Sequence, residues 1–173
     1  MKHSIVYDEY PRWIVFLSNA VQMAVVLVGA LIIGRLGGWW LLLYLALVAF
    51  LEFRLLTRSC VNCFYYGKRC AFGKGKLCAA LFRKGDPDSF RSDAITWKDL
   101  LPDFLVSLIP MTAGIALSFL RFSWSLVYLV IALFLLAFPA TGFIRSLLAC
   151  RFCRQRELGC PAEQLFSKSS RAQ

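Results

Sequence analysis

The chain has 173 residues, of which 59% are hydrophobic, and a mean hydropathy of +0.63. A soluble domain of this length is nearer half apolar, so the composition argues against an ordinary water-soluble enzyme. The formal charge is +10, and apart from Glu52 near the end of the second the charges lie between the apolar runs.

Four apolar runs follow one another in chain order. They are WIVFLSNAVQMAVVLVGALIIG (13–34), WWLLLYLALVAFLEF (39 to about 53), FLVSLIPMTAGIALSFL (104–120) and WSLVYLVIALFLLAFPATGF (124–143). At 1.5 Å per residue each can cross a hydrocarbon core of ~30 Å, the second and third by borrowing flanking residues. A helix buried in a soluble bundle keeps a polar stripe, and these runs have almost none. The first run is too long for a signal-peptide core and follows Asp8 and Glu9, so it reads as a retained span. The expected fold is an all-α integral membrane protein with four transmembrane helices.

Orientation is read from the cations. The two short connections carry one each, Arg35 and Arg121. The other eighteen Lys and Arg lie in the N-terminal tail, in the segment 54–98 and from Arg145 onward. The positive-inside rule puts those three regions in the cytoplasm, with both termini, in a cell (plasma) membrane. All seven cysteines are then cytoplasmic: Cys60, Cys63, Cys70 and Cys78 in the central segment, Cys150, Cys153 and Cys160 in the C-terminal tail. Thiols clustered in a reducing compartment more often bind metal or do redox chemistry than form structural disulfides.

The chain also repeats at a shift of about ninety residues. DEYPRWIVFL from Asp8 matches DLLPDFLVSL from Asp99, Arg54 matches Arg145, and CVNCFYYGKRC matches CRFCRQRELGC. Both cysteine sets read C-x2-C-x6-C, and ALFRK is echoed by QLFSK after a deletion that removes the counterpart of Cys78. The expected domains are a first repeat over 1–90 and a second over 91–173, each a helical hairpin with a cysteine half-site. Pro11 and Pro102 are expected where each hairpin's first helix begins. The copies are parallel, related by a pseudo-twofold axis along the membrane normal.

A C-x2-C turn aims two sulfurs inward, and two such turns make a four-thiolate zinc site. The simplest assignment joins Cys60 and Cys63 to Cys150 and Cys153, with Cys70 and Cys160 completing a symmetric set of six for one or two zinc ions. Cys78 is a possible further ligand. The half-site spacing is similar to that of the binuclear zinc clusters of fungal transcription factors, over about eleven residues per half. That resemblance implies that Cys60 and Cys150 bridge the metals. A site pressed against a membrane has poor access to a duplex, so no nucleic-acid partner is expected. An iron–sulfur cluster is the alternative cofactor, held by Cys60, Cys63, Cys70 and Cys78.

The basic, aromatic stretch FYYGKRCAFGKGK lacks the Walker spacing. Lys68, Arg69, Lys74 and Lys76 are instead expected on anionic headgroups of the bilayer. Asn19 and Gln22 share one face of the first span and are expected to hydrogen-bond between helices. Glu52 and Arg54 are expected to snorkel or pair, and Pro110 and Pro139 to kink their helices. The chain has a single histidine, His3, and neither a Ser–His–Asp set nor a nucleotide fingerprint, so catalysis is not expected. The function that follows is a structural or partner-docking subunit of a membrane complex, with a zinc-stapled cap and a membrane or peripheral protein as partner. An iron–sulfur electron-transfer subunit is the alternative, and soft-metal handling or transport the second alternative.

Overall fold

A computed structural model describes residues 6–86, 97–158 and 160. The described residues are helical, joined by short turns, and contain no strand. Helix α1 spans Arg12–Gly34, α2 Gly38–Leu55, α3 Lys74–Leu81, α4 Trp97–Leu120, α5 Trp124–Leu135 and α6 Arg154–Glu157. Four stretches are long and apolar enough to cross a membrane: Arg12–Gly34, Gly38–Cys60, Pro102–Leu120 and Trp124–Phe152. The first two have 23 residues each, about 35 Å of helix. Helix α1 is central and packs against α2, α4 and α5. Val25 and Ile32 of α1 meet Leu126 and Leu133 of α5, while Ile33 meets Tyr44 and Leu51 of α2 and Val106 of α4. Elsewhere the spans expose Leu, Ile and Phe, which suits lipid as the surrounding solvent. Trp39, Trp40, Phe122 and Trp124 are exposed beside the two short connections, as in an interfacial aromatic belt.

The second and fourth spans run further than their hydropathy suggests. Helix α2 continues through a π-helical turn, Leu56–Cys60. After α5 the chain passes through Leu136–Ala140 (π), Thr141–Phe143 (α), Ile144–Ala149 (π) and Cys150–Phe152 (3-10). Glu52, Arg54 and Arg145 lower the hydropathy but do not stop a backbone ladder, because charged side chains tolerate a helix that leaves the membrane. Each half-site therefore starts at a helix end, the first at the last residue of a wider π turn and the second directly after one. Pro139 lies inside the first π segment of the fourth span, where a missing N–H already breaks the α register.

Of the two prolines expected at helix starts, one holds its place and one does not. Pro11 does sit at the N-cap of α1, with φ −63° and ψ 146°. Pro102 does not open its helix, because α4 begins at Trp97 and Pro102 lies inside it. Pro110, also inside α4, has no N–H to offer the Val106 carbonyl four residues back. The Tyr44 hydroxyl of α2 donates to that carbonyl instead, at 3.0 Å. In lipid an orphaned carbonyl costs several kcal/mol, so Tyr44 repairs the proline.

The repair needs Gly29 of α1. A Cβ there would stand 2.4 Å from the Tyr44 hydroxyl and 3.2 Å from Pro110 Cγ. Gly29→Val is expected to displace Tyr44, strip the Val106 carbonyl of its donor and destabilise the bundle by about 1–3 kcal/mol. Gly34→Ala is the control, since nothing lies within 4 Å of its added methyl. Thermal unfolding of the two variants in the same lipid checks the difference.

Candidate metal centre

The chain entering the first span and the residues at and beyond the ends of the second and fourth spans fold onto one another as a cap. Its core is Tyr10, Ile14, Tyr65, Ala71 and Ala149, with Cys63, Cys70, Cys153, Tyr7 and Phe64 packed around it. Both cysteine half-sites thus contribute to one cluster. The aromatic rings meet edge-on or tilted, Tyr7 against Tyr10 and Tyr10 against Tyr65 with centroids 5.5 Å apart in both pairs.

The N-terminal segment straps the halves together. Tyr7 N donates to Phe152 O at 3.1 Å, and Tyr7 forms an isolated parallel bridge with Cys153. Tyr10 N donates to Arg69 O at 2.9 Å, while the buried Tyr10 hydroxyl donates to Ala149 O. Burial pushes the Tyr65 hydroxyl up to about 12, so it stays protonated and donates to Tyr7 O at 2.6 Å.

The halves also exchange hydrogen bonds at matching positions. Phe64 and Arg154 each directly follow the second cysteine of a C-x2-C turn, and Tyr65 and Gln155 come next. Phe64 N donates to Gln155 Oε1 at 2.8 Å, and Arg154 N donates to the Tyr65 hydroxyl oxygen at 3.0 Å. The thiols are treated alike as well. Tyr65 N–H faces the Cys63 sulfur, and the N–H groups of Gln155 and Arg156 face the Cys153 sulfur. Burial nonetheless dominates, raising Cys63 to about 11 and raising Cys153 as well. As free thiols both are protonated at neutral pH, and a metal that takes them as thiolates must release their protons.

Cys63 is near Cys153, Cys70 and Cys160, Cys60 is near Cys63, Cys70 and Cys78, and Cys150 is near Cys153 and Cys160. All seven are free thiols. Among the described residues no three Cys, His, Asp or Glu side chains converge on a point that could hold a metal ion. The fold thus gathers the cysteines of both halves into one cap without closing them into a coordination sphere. Cys78 has a packing contact of its own. It is fully buried on α3 and its thiol donates to Leu56 O at 3.6 Å, where it locks α3 against the π turn.

Several cations expected on headgroups have partners within the chain. Lys68 lies 4.3 Å from the centre of the Phe64 ring, Arg69 pairs with Glu9 at 2.8 Å, and Lys74 pairs with Glu52. The Arg69 guanidinium holds the Glu9 carboxyl below its ordinary value. Asn19 does not bridge two spans either; it donates to Phe72 O in the cap at 3.2 Å, as well as to Val15 O.

The sequence reading singled out neither Gln155 nor Tyr65. The signal was their matching place in the repeat, five residues after the first cysteine of each set. Gln155 is buried, and its carbonyl oxygen is the acceptor for Phe64 N–H and, weakly at 3.8 Å, for the Cys63 thiol. Gln155→Leu is expected to leave the Phe64 N–H without a partner and cost about 1–3 kcal/mol. Gln155→Glu, which keeps an acceptor, should lose less, and amide exchange at Phe64 separates the two. The QLFSK echo of the repeat lies outside the described residues.

Compared with known proteins, the chain matches no family model, no curated protein and no solved structure.

Proposed function

We propose that this membrane protein joins its two cysteine half-sites through a shared thiolate-bound metal, zinc in preference to iron, at the cytoplasmic ends of its spans. The observation that carries the reading is the reciprocal pair of hydrogen bonds, Phe64 to Gln155 and Arg154 to Tyr65. Such an exchange holds the two C-x2-C turns face to face, which is what a site shared between halves requires. The N–H groups aimed at Cys63 and Cys153 support it further, since backbone donors stabilise thiolates. The duplication of a hairpin with its half-site, over 1–90 and 91–173, accounts for the matching positions.

The ligands are Cys60, Cys63, Cys70, Cys150, Cys153 and Cys160. Their sulfurs close in as protons leave, so metal binding and final packing of the cap are one event. The role is structural: a rigid platform at the membrane face on which a membrane or peripheral protein docks. Anaerobic purification with metal analysis and a visible spectrum tests it. One or two zinc ions per chain in a colourless protein support the reading. Iron with a visible charge-transfer band turns it into an electron-transfer subunit. Neither metal, with six readily alkylated thiols, removes it.

A further inference from the structure

Helix α3 has two faces. Gly75 and Cys78 are buried against the cap, whereas Lys76, Leu77, Ala80 and Leu81 are exposed. Leu77 and Leu81, one turn apart, are 52% and 61% exposed. Water is a poor neighbour for such a pair, and its place in the fold indicates another. Lys74, at the start of α3, pairs with Glu52 of α2, and Phe82, just past its end, meets the Phe53 ring at 5.7 Å. Both ends of an eight-residue helix therefore reach the same turn of α2. Between them Cys78 is held by the Leu56 carbonyl. A helix tied at both ends to one level of a membrane span lies across that span, in the plane of the bilayer.

Its chemistry agrees with its attitude. Phe53, 56% exposed, belongs to the lipid-facing surface of α2, so the exposed leucines extend that surface sideways. Lys76, Arg83 and Lys84 are exposed around them, and 74–84 contains no Asp or Glu. The Tyr66 hydroxyl donates to Phe82 O at 2.7 Å and Gly85 N to Val61 O at 3.0 Å, which fixes the far end to the cap.

We propose that α3 is an in-plane foot that seats Leu77 and Leu81 in the bilayer leaflet at the cysteine end of the bundle, with Lys76, Arg83 and Lys84 on its anionic headgroups. Apolar contact supplies the seating and the cations select the lipid. The inference is independent of any metal in the cap. It also reassigns the headgroup contacts: Lys68, Arg69 and Lys74 are engaged within the chain, and three later or outward-facing cations take that part.

Leu77→Trp and Leu81→Trp, made separately in the full chain and reconstituted in phosphatidylcholine vesicles, test the seating. Both positions are exposed, so either substitution is compatible with folding. The introduced indole, read as the difference from the parent protein, is expected to emit to the blue and to be quenched by lipids brominated in the acyl chain. Emission typical of water, quenched by iodide but not by brominated chains, would overturn the seating and leave the leucine pair for a protein partner. Adding phosphatidylglycerol is expected to deepen the quenching, and the triple variant Lys76→Glu, Arg83→Glu, Lys84→Glu to abolish that increment. Equal quenching with and without phosphatidylglycerol would overturn the anionic assignment.

Discussion

Cys63→Ser and Cys153→Ser are each expected to strip the protein of most of the metal proposed for the cap, although the two residues lie on different hairpins. The reason is geometric. Each follows a helix end, each has backbone N–H beside its sulfur from its own turn, one at Cys63 and two at Cys153, and the turns are held together by Gln155 and Tyr65. A metal shared by the halves loses a ligand from either side, and structural zinc contributes on the order of 10 kcal/mol to the folding of small metal domains. Metal per chain and the metal-dependent rise in unfolding temperature are the measurements. Loss in Cys63→Ser with full retention in Cys153→Ser would confine the site to the first half and sink the shared arrangement. Cys78→Ser makes the informative comparison. It should keep the metal and lower the unfolding temperature slightly, because a hydroxyl can still donate to Leu56 O but fills the buried position less well.

The second large effect is expected at Gly75. A Cβ there would stand 2.1 Å from the Tyr65 carbonyl oxygen and 2.5 Å from that of Lys68. Both obstacles are backbone, and the Tyr65 carbonyl is already tied by Lys68 N at 3.0 Å, so neither can rotate aside. Gly75→Ala must push α3 off the loop it packs on, which also strains the Lys74–Glu52 pair and the Cys78 bond. Overpacking of this kind costs about 1–3 kcal/mol, and here it falls on the cap rather than on the spans. The expected result is a cap that opens to amide exchange while the spans keep their helicity. Gly67→Ala is the control. Its φ of 76° makes an added methyl cost about 1 kcal/mol in backbone strain, but the nearest atom is Ala79 Cβ at 3.9 Å. Exchange rates over the cap as fast in Gly67→Ala as in Gly75→Ala would show that close packing at Gly75 is not what holds α3.

Gly75 illustrates how the stretch FYYGKRCAFGKGK was readable only in part. Its cations read as headgroup contacts, but Lys74 pairs with Glu52, and Gly75 serves close packing. Likewise Pro110 announced a helix irregularity, yet nothing in its neighbourhood named Tyr44, sixty-six positions earlier, as the donor that repairs it. The span ends are hidden for a different reason. Hydropathy falls at Glu52 and Arg54, whereas the helical backbone continues to Cys60.

What the sequence determined by itself was whatever depends on local chemistry: four apolar runs of membrane-crossing length, cations gathered in three segments, and cysteines spaced C-x2-C-x6-C twice. Transfer of a side chain into lipid is close to additive along a chain, and spacing within a turn fixes where neighbouring thiols can point, so both are visible in one dimension. Only the tertiary structure decided that Phe64 meets Gln155, that Arg154 meets Tyr65, that the Cys78 thiol meets the Leu56 carbonyl and that Phe82, just past α3, meets Phe53 of α2. Those outcomes turn on partners far apart in the chain, chosen by which buried N–H and carbonyl groups would otherwise go unsatisfied when the hairpins close.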